Sequence, residues 1–296
     1  MKSSYEANKC CDIDGVIYIP SDLPDIEELI LNLESLPPTR LFDDMYFIGT
    51  PFVGTIVLKT EEGLVLIDSM NTEKDGREII FPGLRKLGLD PTDIKKVILT
   101  HGHIDHYGAA KFIKEQTGCK VYMTEIDHKY MLDFIYPFNS SEIIQGKDAD
   151  PGIDVYIKDG DIIKSGSYDI KIVSTPGHTP GGISLIFPVH DGEDEHFVGV
   201  WGGTKITPEM SSAYDYIQSI EHFSKETEKY GVDVSVQVHP FVDYNLERGI
   251  FDGECKTRDS EGRHPLVMGK ERYRIFLNCL MAYAVGSFEK MKSKND

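Results

Sequence analysis

The stretch ILTHGHIDHYG, residues 98–108, places His101, His103, Asp105 and His106 within six consecutive positions of a chain that has ten histidines in all. Imidazole nitrogens and carboxylate oxygens are the usual ligands of borderline divalent ions such as zinc. The preceding KKVIL is a short apolar run of the kind buried inside a sheet, so the polar cluster falls where the chain leaves that sheet. Layered α/β proteins tend to place their ligand sites at such carboxyl ends of strands. His101 and His103 alternate and can project to one side, while Asp105 and His106 follow a bend toward a second point. Four ligands in so short a loop are too many for one tetrahedral ion. Two adjacent ions sharing the loop fit the spacing better.

Two further histidines occur in the same local setting. YDIKIVSTPGHTPGG delivers His178 after a strand and a Pro-Gly turn, and VSVQVHPF delivers His239 at a strand end, with Pro240 fixing the exit. The other five lack this context. His128 and His222 lie in helix-like segments, His190 and His196 flank an acidic turn, and His264 sits in a polar loop.

The elements that must position these residues are legible in outline. DIEELILNLESL spaces Ile26, Leu29, Ile30 and Leu33 as a helix that Pro37 and Pro38 stop. GTIVLKTEEGLVLIDS predicts a hairpin, and a helix broken by Pro82 follows over about residues 77–87. KKVILT, the ligand loop, the helix GAAKFIKEQTG and the strand KVYMT make a βαβ unit. The second half supplies YDIKIVST and a hairpin over GGISLIFPVHDGEDEHFVGVWGG. A helix then places Ile217, Ile220, Phe223, Thr227 and Tyr230 on one face and stops at Gly231. After the short strand VSVQV and a polar, glycine-bearing loop over 248–265, the chain ends in a long amphipathic helix. That helix directs Phe276, Leu277, Leu280, Met281, Ala284 and Phe288 inward. The division expected is an N-terminal appendage with one helix, residues 1–40, and a single domain over 41–296 built from two strand-rich halves.

Composition narrows the function. A net charge of −18, from 49 acidic and 31 basic residues, repels phosphate backbones and anionic lipid. The expected partner is a small-molecule substrate, not nucleic acid or a membrane. Residues 1–15 carry no apolar core of a signal segment, and no run approaches a membrane span of about 20 apolar residues. Five unpatterned cysteines fit a reducing compartment, so the expected location is the cytoplasm.

THGHIDHYG resembles the His-x-His-x-Asp-His signature of the metallo-β-lactamase superfamily. LVLIDS is similar to that family's early strand ending in a supporting aspartate, here Asp68. TPGHTPGG resembles the segment carrying its third histidine, and VHPF the segment carrying its last. The similarity runs in order over residues 41–245. It implies a four-layer αβ/βα sandwich with a dinuclear site, commonly zinc, in which His101, His103 and His178 hold one ion. Asp105, His106 and His239 hold the other.

Many branches of the family place a metal-bridging aspartate after the strand that follows the third histidine. Here that strand reads FVGVWGGTKI, with Gly203 at the expected position. A three-histidine group beside an Asp-His-His group, without a bridging carboxylate, resembles the lactamase subclass that uses only His and Asp. LRKLGLDPTDIKKVILTHGHIDH and YIQSIEHF are also similar to that subclass and its cytosolic relatives.

The chemistry so implied is a metal-bound hydroxide attacking a strained or activated carbonyl, with two zinc or similar divalent ions per chain. Asp105 would orient the nucleophile, and Asp68 would act from behind the ligands. Tyr107, Trp201, Thr204 and Tyr244 are candidates for the pocket wall. A β-lactam amide leads, with a lactone, ester or thioester as the alternative. A catalytically silent metal-binding sensor on the same fold is the reading from a different class.

Overall fold

The computed structural model describes residues 26–207, 209–242, 245, 249–255, 258, 260 and 262–295, to which the structural statements below refer. Alternation along β3 (Gly54–Thr60) and β4 (Gly63–Ile67) sends Ile56, Leu58, Val65 and Ile67 to one face and Val57, Leu64 and Leu66 to the other. Both faces are buried, which is why these strands read as nearly continuous apolar runs. The hairpin pairs Ile56 with Ile67, and β4 then lies parallel to β5 (Ile94–Ile98). With β1 (Thr39–Arg40), β2 (Met45–Gly49), β6 (Lys120–Met123) and β7 (Val155–Tyr156) this makes a seven-stranded sheet in sequential order.

The second sheet has five strands in the order β12 (Val234–Ser235), β11 (Asp194–Val200), β10 (Ile183–Asp191), β9 (Tyr168–Ser174) and β8 (Ile162–Ser165). The two sheets meet face to face through Phe47, Ile56, Leu58, Ile172, Leu185, Phe187 and Val198, all with no solvent exposure. Burying an aliphatic or aromatic side chain of this size contributes about 1.5–3 kcal/mol.

The outer face of the first sheet is covered by α1 (Ile26–Asn32), α2 (Glu73–Asp75), α3 (Phe81–Lys86) and α5 (Ala110–Thr117). The short α4 (Ile104–Tyr107) and α6 (Glu125–Asp133) lie beside the ligand loop. The outer face of the second sheet is covered by α7 (Met210–Tyr230) and α8 (Lys270–Asn295), through Tyr216, Ile220, Phe223, Phe276, Leu277 and Leu280. The result is the four-layer αβ/βα sandwich. No described helix is long and apolar enough to cross a membrane.

Several local departures have physical causes. The helix expected over 77–87 is α2 and α3 joined by a π-turn at Gly76–Ile80, because Pro82 has no N–H to continue the α-helical ladder. The strand VSVQV is paired only at Val234–Ser235. Beyond it, the Gln237 side chain takes over the ladder's role, accepting from Trp201 N at 2.8 Å. Val238 O then accepts from Gly54 N at 2.8 Å, drawing the chain from the second sheet onto the first. Residues 26–40 pack on the same body: Leu29 and Ile30 are buried in the helical layer, and Thr39 pairs with Phe47. Residues 1–25 of the expected appendage lie outside the described residues.

The docking of residues 68–72 against α4 depends on a close backbone approach. Gly108 N donates to Met70 O at 2.9 Å, and a Cβ on Gly108 would stand 1.8 Å from Asn71 O. Gly108→Ala is expected to cost about 2 kcal/mol by overpacking and to lower the unfolding midpoint by roughly 4–8 °C. Gly118→Ala, at the left-handed end of α5 with open space around it, should cost only about 1 kcal/mol. Thermal unfolding followed by circular dichroism compares the two; equal losses would contradict this account of Gly108.

Candidate metal centre

β4 and β5 run parallel and end side by side, and the chain breaks out of both at this end. Asp68, immediately after β4, has φ of +60°, a left-handed conformation that is rare and strained for a non-glycine residue. It extends the ladder by donating its own N–H to Ile98 O at 2.9 Å, then turns its fully buried carboxylate over the end of β5. There it accepts from Thr100 N at 2.7 Å, Thr100 Oγ1 at 2.8 Å and His106 Nδ1 at 2.7 Å. The ligand loop is thereby held at both ends by one side chain.

The structure brings together six of the residues singled out in the sequence, as two groups. His101, His103 and His178 form one, and Asp105, His106 and His239 the other, with the candidate ligand atoms of each group within 4.8 Å of one another. The rings of His101 and His106 lie 3.8 Å apart, so the groups adjoin. Loop 101–106 serves both, His178 arrives from the turn after β9, and His239 arrives where the chain crosses between sheets.

The hydrogen bonds assign each imidazole an outer and an inner nitrogen. Nδ1 of His239 donates to Phe52 O at 2.7 Å, and Nδ1 of His178 donates to Lys205 O. Nδ1 of His106 donates to Asp68. Because the Thr100 hydroxyl donates to Asp68, it accepts from Nδ1 of His101 at 3.0 Å. Nε2 of His103 pairs with Tyr130 Oη at 3.1 Å.

Every outer nitrogen thus has a partner, and the inner ones face one another. His103 Nδ1 stands 3.0 Å from His178 Nε2, and His106 Nε2 stands 3.2 Å from His239 Nε2. His101 Nε2 is buried with no partner at all. Asp105 Oδ2 lies 3.5 Å from the inner nitrogens of both His106 and His239. Lone pairs aimed at one another in a buried space need a proton or a cation between them, and outer partners of this kind are typical of metal-ligating histidines. The donor set, nitrogen with one carboxylate oxygen, fits zinc or a similar ion.

Protonation follows the same division. Burial, reinforced by the neighbouring histidines, holds His101 and His103 well below the usual imidazole range, and His178 and His239 fall to about 4. Burial also opposes a charge on His106, but the Asp105 and Asp68 carboxylates carry it up to about 10. Asp105 is buried too, yet His106 and His239 hold its carboxyl far below the usual range.

Gly203 abuts the three-histidine group. A Cβ there would stand 2.4 Å from His178 Cβ, so an aspartate at this position would displace the histidine. The Gly203 carbonyl is fixed by the Trp201 indole N–H and by Tyr216 Oη at 2.7 Å. Trp201 and Tyr107, expected in the pocket wall, are buried packing residues; Tyr107 Oη accepts from Gly146 N at 3.0 Å. Thr204 is half-buried beside Gly203, and Tyr244 lies outside the described residues.

Aromatic side chains outside the expected pocket wall flank the candidate ligands. Tyr130, Phe134 and Tyr136 have ring centroids 5.3–5.6 Å from His103, and Phe52 and Phe241 lie 5.2 and 5.3 Å from His239. The dense aromatic run YMLDFIYPF was the available signal. The remaining histidines are engaged elsewhere, His128 with Asp150, His190 with Asp44, His196 with Asp233, His222 with Asp159 and His264 stacked on Phe42.

The comparisons agree with this architecture. Residues 49–191 match the model of the metallo-β-lactamase superfamily. A subclass B3 metallo-β-lactamase of Bradyrhizobium japonicum superposes with a TM-score of 0.69 at 23% identity, covering 88% of this chain and 96% of that one. The class B3 di-zinc metallo-β-lactamase LRA-12 from an Alaskan soil metagenome gives 0.66 at 22% identity, over 85% and 94%. A hydroxyacylglutathione hydrolase of Haemophilus influenzae is 32% identical over 100 residues, 32% of this chain and 44% of that protein. The chain spans about half the length of the curated relatives it matches.

With its pKa at about 10, His106 is protonated in the metal-free protein at pH 7.5, and a cation at its inner nitrogen must displace that proton. Loading metal-free protein with Zn2+ at this pH is expected to release about one proton per chain. Calorimetry in two buffers of different ionisation enthalpy measures it, and no proton release would contradict this assignment of His106.

Proposed function

We propose that this chain is a metal-dependent hydrolase, β-lactamase-like, that attacks strained or activated carbonyl groups with two divalent ions per chain, zinc foremost. The observation that carries the reading is the set of inner nitrogens, all turned away from their hydrogen-bond partners and facing one another around two adjoining groups. His101, His103 and His178 would hold one ion and Asp105, His106 and His239 the other. Bound divalent ions supply Lewis-acid polarisation of a carbonyl and a nucleophile from water near neutral pH.

The chain's own residues do the rest. Asp105, kept ionised by His106 and His239, orients the attacking group through its carboxylate. Asp68 keeps the proton of His106 on Nδ1, which leaves the Nε2 lone pair facing inward. Tyr130, through its contact with His103, fixes that ring, and the half-buried Phe134 and Tyr136 beside it offer an apolar wall to the substrate.

A β-lactam amide is the leading substrate class, supported by the subclass B3 lactamases among the structural neighbours and by a Gly203 that leaves no room for a bridging carboxylate. A thioester or lactone is the second reading, supported by the hydroxyacylglutathione hydrolase among the sequence relatives.

Metal analysis is expected to find about two equivalents per chain. A chromogenic cephalosporin, a panel of thioesters and a panel of lactones, each with and without chelator, then separate the substrate classes. Turnover should vanish on metal removal and fall on the order of 100-fold or more in His103→Ala. Hydrolysis that survives complete metal removal would sink the proposal, and metal uptake without turnover of any panel member would favour a binding protein.

A further inference from the structure

α6 crosses behind the three-histidine group, and one of its side chains has no place in the chemistry described so far. Asp127 has no solvent exposure, yet its carboxylate accepts three hydrogen bonds from two distant segments. Oδ2 accepts from Gly102 N at 2.8 Å and from Thr179 Oγ1 at 2.7 Å, and Oδ1 accepts from Gly181 N at 2.6 Å. Gly102 lies between His101 and His103. Thr179 directly follows His178, and Gly181 closes the same turn.

The approach is tight on both sides. A Cβ on Gly102 would stand 2.8 Å from Asp127 O, and one on Gly181 would stand 2.7 Å from Asp127 N. Thr124, the cap of α6, accepts from Asp127 N at 3.1 Å and donates its hydroxyl to Gly181 O at 2.7 Å. One turn further along the helix, Tyr130 holds His103.

The second group is supported differently. Asp105, His106 and His239 are held by Asp68, by Phe52 O, and by Ser69, whose N–H and hydroxyl both donate to His106 O. No hydrogen bond in that set involves α6. Asp68, by contrast, reaches both groups, to His106 directly and to His101 through Thr100.

We infer that Asp127 is the positioning residue of the three-histidine group alone, clasping the 101–103 loop to the 178–181 turn so that three imidazoles carried on two sheets converge. The inference rests on the metal-binding reading above. It makes the two ions separable: loosening the clasp weakens one and spares its neighbour.

The test titrates metal-free protein with Co2+ against a competing chelator. Wild type is expected to take up two equivalents. Asp127→Ala should retain one at near wild-type affinity and bind the other on the order of 10- to 100-fold more weakly. Asp127→Asn, which keeps an acceptor for Gly102 and Thr179 but turns an amide toward Gly181 N, should fall between. If the alanine variant does not fold, Thr179→Val removes one of the three bonds and should weaken the same ion less severely. Equal weakening of both ions, or no weakening of either, overturns the inference.

A second arm needs no metal. Amide hydrogen exchange in the metal-free protein should speed up at Gly181 in Asp127→Asn, whose amide faces that N–H, and less at Gly102, which keeps its acceptor, while the amide of Asp68 keeps its protection. Unchanged exchange overturns the clasp by itself. A wild type that takes up no Co2+ would instead defeat the functional reading, and the exchange result would still judge Asp127.

Discussion

The Asp68 carboxylate is the group on which this arrangement turns. It is fully buried, and a charge in that position is tolerable only when its acceptor capacity is filled. Three donors fill it, all from the segment that begins where β5 ends. The backbone must adopt the left-handed conformation to aim it there, at a strain of about 1–3 kcal/mol. Hydrogen bonds to an ionised acceptor are roughly twice as strong as neutral ones, so three of them offset the strain. What the contact secures is orientation. Thr100 and His106 stand in fixed relation, and through Thr100 so does His101.

That fixed loop is only half of the site, because the remaining two histidines come from the other sheet. Two backbone bonds join the halves at this edge, Ile183 N to Thr100 O at 2.9 Å and Gly54 N to Val238 O at 2.8 Å. Each lies one or a few residues from a candidate ligand. The inner nitrogens can therefore converge only once the sheets have docked through Phe47, Leu58, Leu185 and Phe187. Packing between the sheets and geometry at their edge are one event, and the apolar interface belongs to the site as much as the histidines do.

How much of this was legible in the sequence depended on whether the signal was local. HGHIDH is contiguous, so its ligands were visible from spacing, and the hairpin over 54–67 was visible from alternation and its turn. His178 and His239 could be flagged by their place after strands, but their assignment to separate groups came from family resemblance. Asp127 looked like any acidic residue in the first turn of a helix; its role arises from glycines 25 residues before it and 54 residues after it. Tyr130, Phe134 and Tyr136 straddle the end of α6, where no period marks a face. VSVQV is paired over fewer residues than its pattern predicts because the Gln237 side chain replaces a neighbouring backbone, which no propensity records. Tyr107 and Trp201, candidates for the pocket wall, both belong to the packed interior, which sequence position alone does not reveal.

The two candidate groups also differ in the charge that surrounds them. His101, His103 and His178 are neutral imidazoles backed by a hydroxyl, a phenol and a carbonyl, and the carboxylate of Asp127 accepts from Gly102, Thr179 and Gly181 instead. Asp105, His106 and His239 include one carboxylate and lean on a second, Asp68. A divalent ion would keep most of its charge in the first setting and have it largely balanced in the second. Gly203 is consistent with that contrast, because a Cβ there would crowd His178 and no side chain at this position adds a carboxylate to the three-histidine half.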